Sequence, residues 1–229
     1  MAHSLQFSAK ELITRIGKHV TPRHVQFLNS IVNYLEVGRW IRSNGFDDFP
    51  RYSTRRELHA AIAALIANTQ VLYLEFGVYQ GESFRHWCKL LQNPRSSLQG
   101  FDSFQGLPEK WDTLRGSGTF TTEGRMPQFH DNRVVLHPGW FKDTLPRFVP
   151  PEHEKLVVHL DADLFSSTEL VLRELQSSIV QGTIIIFDEF CDRFHELRAF
   201  DEYLERTRQR FHLLGATRNL EQVAFQRIL

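Results

Sequence analysis

Hydrophobic positions along the chain follow two different periods. From Ser8 to Asn68 they recur at helical spacing, as in Val25, Leu28, Ile31 or Val32 and Leu35, with Asn44-Gly45 as a stop signal. Thr54 and Glu57 have the spacing of a capping box and open a further helix through Leu58, Ile62, Leu65 and Ile66. From Val71 onward, short apolar runs rich in β-branched and aromatic residues alternate with helical stretches. The runs cover Val71 to Phe76, Leu98 to Phe101, Val134 to Leu136, Leu156 to Leu160 and Thr183 to Phe187. Helices are predicted after Gly81, between Ser167 and Val180, and from His195 to Arg208, giving β-α-β units and a parallel sheet covered on both faces. Two strand-like runs around Leu213 and Val223, with Asn219 between them, predict a closing antiparallel pair. The expected architecture is therefore α/β and doubly wound, with a helical extension over residues 1–68 and a sheet domain over 69–229. One stretch, Gly106 to Asn132, has no period at all and carries Gly116, Gly118 and Gly124. A loop of that length is expected to be a lid over a site, or else a mobile insertion.

Composition narrows the class of partner. With 229 residues the chain can bury a single large core. Its 27 basic and 27 acidic residues leave no net field to attract nucleic acid or an anionic membrane, so a small molecule is the expected partner. No apolar run approaches the ~20 residues of a membrane helix. The two cysteines, Cys88 and Cys191, form no zinc pattern and suit reduced thiols in a cytoplasmic protein.

Three groups of residues could carry chemistry. Glu75 to Ser83 follows a strand and opens a helix; Gly77 and Gly81 allow a tight turn, and the free amides at the helix start favour a carboxylate or phosphate. The competing reading is a plain turn, because the pattern departs from Gly-x-Gly-x-x-Gly. Asp102 lies just past the next strand, where an acid accepts hydrogen bonds from a ribose; the alternative is that Asp102-Ser103 only caps a turn. The third group is acidic. Asp161 and Asp163 end one strand, and Asp188 and Glu189 end the next. If those strands are parallel neighbours, their carboxylates converge at about one strand spacing, ~4.8 Å. Crowded carboxylates raise one another's pKa, and an oxygen-only set favours Mg²⁺ or Mn²⁺ over zinc. Alternatively, some of these acids cap helices or pair with Arg193 or Arg198.

Read in order, the motifs resemble one family. They are Leu74-Glu75-Phe76-Gly77-Val78-Tyr79-Gln80-Gly81, Gly100-Phe101-Asp102-Ser103-Phe104-Gln105-Gly106-Leu107-Pro108, Gly118-Thr119-Phe120, Gly139-Trp140-Phe141-Lys142-Asp143-Thr144-Leu145-Pro146, Leu160-Asp161-Ala162-Asp163-Leu164-Phe165-Ser166-Ser167-Thr168 and Phe187-Asp188-Glu189-Phe190. Together they are similar to the macrocin O-methyltransferases, class I enzymes that use S-adenosylmethionine. The resemblance spans roughly Val71 to Phe200; the N-terminal third and the last strands carry no diagnostic motif. It implies a mostly parallel, seven-stranded, Rossmann-like methyltransferase sheet. It places Glu75, Gly77 and Gly81 at the methionine end of the cofactor and Asp102 on its ribose, with Val78, Tyr79, Ser83, Ser103, Gly139 and Trp140 completing the surroundings. It implies too that Asp161, Asp188 and Glu189 hold Mg²⁺ beside the acceptor hydroxyl. The chain departs from the pattern twice: Asp188-Glu189 replaces an Asp-Asp pair, which lengthens one ligand's reach, and Phe165 replaces a tyrosine.

The expected reaction is methyl transfer to a hydroxyl of a sugar or other natural product, with Asp161 taking the proton and His137 and His159 as competing bases. A phosphatase or a metal-dependent glycosyltransferase would use Asp161-x-Asp163 but leave Glu75 to Gly81 idle. A dehydrogenase explains Gly77 and Asp102 but not the acids, and retention of the acids argues against a catalytically silent cofactor-binding or assembly protein. Phe27, Tyr34 and Trp40 add to an apolar N-terminal third that is expected to form a homodimer or higher homo-oligomer.

Overall fold

A computed structural model describes residues 2–46 and 48–229, with side chains from residue 8 onward. Met1 and Asp47 of the expected 1–68 extension lie outside the described residues. Two helices come first, α1 (Ala2–Gly17) and α2 (Pro22–Ser43), and α2 stops at Asn44 ahead of Gly45, whose φ of 72° is the left-handed conformation the sequence signalled. Next come β1 (Arg51–Tyr52), α3 (Arg55–Leu65), β2 (Val71–Phe76), α4 (Glu82–Leu90), β3 (Ser97–Asp102), β4 (Val134–Pro138) and the short α5 (Phe141–Thr144). The chain finishes with β5 (Lys155–Leu160), α6 (Phe165–Glu174), β6 (Ile184–Phe187), α7 (Glu196–Thr207), β7 (Phe211–Thr217) and β8 (Val223–Arg227).

The strands form one sheet in the order β1-β7-β8-β6-β5-β2-β3-β4. All pairings are parallel except those of β8, which runs against both β6 and β7. From β2 the chain winds outward to β3 and β4; from β5 it winds the other way to β6. The order thus reverses between β2 and β5, and in open α/β sheets ligands bind outside the strand ends at such a point.

The sheet has eight strands where seven were expected. The extra one, β1, is a two-residue edge strand inside the segment read as helical, too short for any periodic signal. Gly215 on β7 admits it, since a Cβ there would stand 2.8 Å from the Tyr52 ring. The next helix, α3, belongs to the sheet's covering layer too. Thr54 accepts from the Glu57 amide at 3.2 Å while the Glu57 carboxylate reaches back to the Ser53 amide at 2.9 Å, one residue short of the expected reciprocal cap. Leu58, Ile62 and Ala63 bury its inner face. Residues 51–65 thus pack with the sheet, β1 at its edge and α3 on one face.

Both faces of the sheet are covered. On one, Phe187, Phe190, Phe200 and Phe225 pack around Trp40, whose ring nitrogen donates to Asp201 at 2.6 Å and anchors the end of α2. On the other, Tyr73 stacks on Trp87 at 4.8 Å beneath α3 and α4.

Candidate active site

At the reversal point the chain leaves β2 through Gly77, with φ of 97°. A Cβ there would fall 1.8 Å from the Asp161 carbonyl oxygen, so only glycine lets this turn lie flush against the end of β5. The turn continues to Gly81, which caps α4 with φ of 75°. Asp102, at the end of β3, holds the turn in place. Its Oδ2 accepts from the Val78 and Tyr79 amides at 2.8 and 2.7 Å, and its Oδ1 from the Phe104 amide at 2.7 Å. Asp102 thus ties down backbone as the turn-capping reading expected; its Oδ2 is taken up by two amides, while its Oδ1 accepts one and has capacity for another donor.

The expected cofactor residues divide among neighbouring sites. Gly77, Tyr79 and Asp102 line a cleft of about 280 Å³, together with Asp161, Asp163, Asp188 and Glu189. Ser103, Gly139 and Trp140 line an adjoining cleft of about 390 Å³; Pro108 borders both. Ser83 opens instead into a third cavity, between the N-termini of α3 and α4, where its buried hydroxyl has no partner among the described residues. Val78 is 4% exposed and contributes backbone only. Glu75 is 1% exposed beneath the sheet, bonded by the Tyr73 hydroxyl and 3.4 Å from His159 Nδ1. Its carboxylate lines none of these cavities.

The acids gather as their strands require. The Asp161 amide donates to Phe76 and the Asp188 amide to Leu160, both at 2.9 Å, which extends the ladder past the strand ends and sets the two residues side by side. Burial, then Asp188 and Asp163, hold the Asp161 carboxyl well above the usual range. Burial followed by Asp188 pushes Asp163 up to about 7 and Glu189 up to about 8. Behind them, fully buried Glu196 accepts from the Glu189 amide at 2.8 Å, and burial raises its pKa well above normal. Little compensates this charge: Arg55 stands 3.9 Å from Asp188, the Gln222 amide donates to Asp188, and Arg115 lines the cleft. The arginines expected as partners are engaged elsewhere, Arg193 with Asn33 at 2.7 Å and Arg198 with Glu202 at 2.8 Å. Among the described residues no three His, Cys, Asp or Glu side chains stand in a preformed metal cage. Asp161, Asp188 and Glu189 share the cleft, while Asp188 is turned toward Gln222.

Neither histidine proposed as a base lines this cleft. His159 is fully buried with Tyr73 at 2.8 Å, and His137 stacks on Phe101 at 4.4 Å and bonds Gln99 at 2.7 Å. Sequence reasoning missed Arg55, Arg115, Gln222 and Glu196. The first three lie in a first helical turn, an aperiodic loop and a strand connection, none of which carries a signal. Glu196 was visible only as an acid opening the helix after Asp188-Glu189.

The first part of the 106–132 loop covers the cleft, which Gly106, Leu107, Trp111, Arg115 and Phe120 line, while Gln128 to Asn132 line a separate cavity. The Leu107 amide donates to Thr119 and the Gly118 amide to Leu107, each at 2.9 Å, and Leu107 and Trp111 pack on Leu164. Arg115 lies 3.2 Å over the Trp111 ring and 2.6 Å from Asp112, which also accepts from Gln26 of α2 at 3.1 Å.

This strand order, with a glycine turn and acids at the reversal point, defines the class I methyltransferase fold. The crystal structure of CalS11, calicheamicin methyltransferase, shares it with a TM-score of 0.58 at 17% identity, over 91% of this chain and 94% of that one. The chain belongs to the Macrocin-O-methyltransferase (TylF) family, whose pattern matches residues 54–213. It is 33% identical over 146 residues to mycinamicin III 3''-O-methyltransferase of Micromonospora griseorubida, covering 58% of this chain and 54% of that one. It is 38% identical over 121 residues to demethyldecarbamoylnovobiocin O-methyltransferase of Streptomyces niveus, covering 44% and 45%. The chain spans about half the length of these curated relatives. The matched residues include α3 and exclude α1 and α2.

Proposed function

We propose that this protein is an S-adenosylmethionine-dependent O-methyltransferase that acts on a hydroxyl of a sugar or sugar-bearing natural product and uses Mg²⁺ or Mn²⁺. The observation that carries the reading is the cluster of undercompensated carboxylates facing the Gly77 to Asp102 turn across one cleft. Gly77 and Gly81 let the turn's backbone approach the methionine end of the cofactor closely, and Asp102 Oδ1, which accepts a single amide, can accept from a ribose hydroxyl. The donor set at the acids is all oxygen and short of cations, which suits a hard divalent ion. Such an ion, when bound, would lower the acceptor hydroxyl's pKa and hold the carboxylates ionised. The chain's own residues do the rest. Tyr79, Trp111 and Phe120 wall the cleft against water, and the turn fixes the donor so that the acceptor oxygen attacks in line. The methyl passes from sulfur to oxygen, the carbon–sulfur bond breaks, and Asp161 receives the hydroxyl proton. The products are a methyl ether and S-adenosylhomocysteine.

Among the described residues no helix is long and apolar enough to cross a membrane. Cys88 and Cys191 are both free thiols, which supports a reducing, cytoplasmic setting. Calorimetry with S-adenosylmethionine, S-adenosylhomocysteine and NAD tests the cofactor assignment. We expect the first two to bind, and NAD binding alone would overturn it. A panel of sugar hydroxyl acceptors read for methyl transfer distinguishes an active enzyme from a silent binding protein.

A further inference from the structure

Phe120 breaks two rules at once. Its backbone is left-handed, with φ of 65°, a conformation that glycine adopts freely and a bulky residue adopts only under constraint. Its ring is nonetheless no part of the core: the residue is 43% exposed and lines the cleft that holds Asp161, Asp163, Asp188 and Glu189. The constraint comes from the loop. Gly106 lies so close to the segment ahead of Phe120 that a Cβ on it would stand 2.4 Å from the Thr119 carbonyl oxygen, and that oxygen accepts from the Leu107 amide at 2.9 Å. On the other side, the Thr122 amide donates to the Phe104 carbonyl at 3.2 Å. The backbone is thus clamped around a residue whose ring meets Tyr79 edge-on, 5.9 Å between centroids, and Trp111 at 6.3 Å. Strain of this kind collects at functional sites.

Trp111 supplies the second observation. It is 7% exposed, packed on Leu107 and Leu164 with Arg115 over its ring, and its Nε1 is buried with no hydrogen-bond partner among the described residues. A buried donor left unpaired costs stability. Trp111 lines the same cleft as Phe120, so a ligand entering there can supply the missing acceptor.

We propose that Phe120 and Trp111 form the subsite that selects the methyl acceptor, and that the group they take is a pyranose ring. The proposal rests on the O-methyltransferase reading and adds the residues that choose its substrate. A pyranose is two-sided: its C–H groups carry partial positive charge and suit the negative face of an aromatic ring, while the oxygens around its rim accept hydrogen bonds. Phe120 offers the ring face and Trp111 the N–H. Because Phe120 touches Tyr79 of the glycine turn, a sugar stacked on it lies next to the proposed cofactor side.

Saturation-transfer NMR on the full chain loaded with S-adenosylhomocysteine tests this, with methyl pyranosides of the common hexoses and deoxyhexoses as probes and the acyclic polyol glucitol as control. At least one pyranoside should receive saturation at its ring C–H protons, and glucitol should receive none. Phe120→Ala should raise that pyranoside's dissociation constant about tenfold or more, and Trp111→Phe, which keeps an aromatic ring but removes the N–H, about tenfold. Both variants should bind S-adenosylhomocysteine with wild-type affinity in calorimetry, which a general loss of structure would not allow. Phe120→Gly relieves the left-handed backbone, so its Tm should hold or rise while pyranoside binding is lost. A Tm that drops in this variant would mark Phe120 as a packing residue and overturn the proposal. So would wild-type protein that binds S-adenosylhomocysteine yet takes no pyranoside, saturation on catechol in place of the pyranosides, or an unchanged dissociation constant in Phe120→Ala. Failure to bind S-adenosylhomocysteine would instead sink the cofactor assignment, and pyranoside saturation on the unloaded protein would then decide the subsite by itself.

Discussion

The two halves of the cleft are built on opposite principles. On the glycine-turn side, the proposed cofactor side, the turn after β2 is satisfied before any ligand arrives: Asp102 accepts three backbone amides, and Gly77 sits where no side chain fits. On the acidic side, the proposed acceptor side, Asp161, Asp163, Asp188 and Glu189 share the cleft, and Arg55 stands 3.9 Å from Asp188. The first half is part of what holds the fold together. The second stores unfavourable charge that a ligand can relieve, a common trade of stability for function. Damage to one half should therefore appear first in folding, and damage to the other first in pH and metal dependence.

The largest effect should come from Gly77→Ala. Its φ of 97° and the 1.8 Å approach to the Asp161 carbonyl oxygen leave no room for a methyl group. We expect a loss of about 3 kcal/mol or more, read from urea unfolding, because backbone rather than a flexible side chain must give way. Asp102→Ala should follow at about 2–3 kcal/mol, since three amides lose a charged acceptor, and it should weaken S-adenosylmethionine binding as well. If Asp102→Ala kept full stability, the contrast between the halves would fail.

The acidic half predicts an unusual pH profile. Asp163 is raised to about 7 and Glu189 to about 8, so the folded protein binds protons that the unfolded chain has already released. Stability is then lost as pH rises from the ordinary carboxylate range through those values. In chelator, Tm should be higher at pH 5.5 than at pH 8.5, the reverse of a protein dominated by salt bridges. Glu189→Gln should flatten the profile at its alkaline end. A Tm that rises across this range would show that the acids are compensated.

Strands with a clean period were legible in the sequence. Val71 to Phe76 and Leu156 to Leu160 are buried on both faces and read as continuous apolar runs. Asp161 and Asp188 could be placed beside each other because parallel neighbours end at one edge. β1 was not legible, because two residues have no period and their pairing depends on Gly215, far along the chain. The direction of a side chain was equally hidden. Glu75 lies in the glycine motif, yet strand alternation turns it under the sheet toward Tyr73 and His159. The inward turn of α2's polar stripe depends on Asp112 and Arg193, which the local pattern does not contain.

The central claim is that cofactor binding and acceptor activation belong to separate halves of one cleft. Its most direct test measures S-adenosylmethionine affinity and methyl transfer on the same preparation, in excess chelator and after adding Mg²⁺ back. Affinity should be unchanged by chelation, while turnover should fall by about a hundredfold or more and return with the ion, consistent with a hydroxyl that needs a Lewis acid to lose its proton. Full turnover in chelator, or an affinity that falls together with it, would contradict the account.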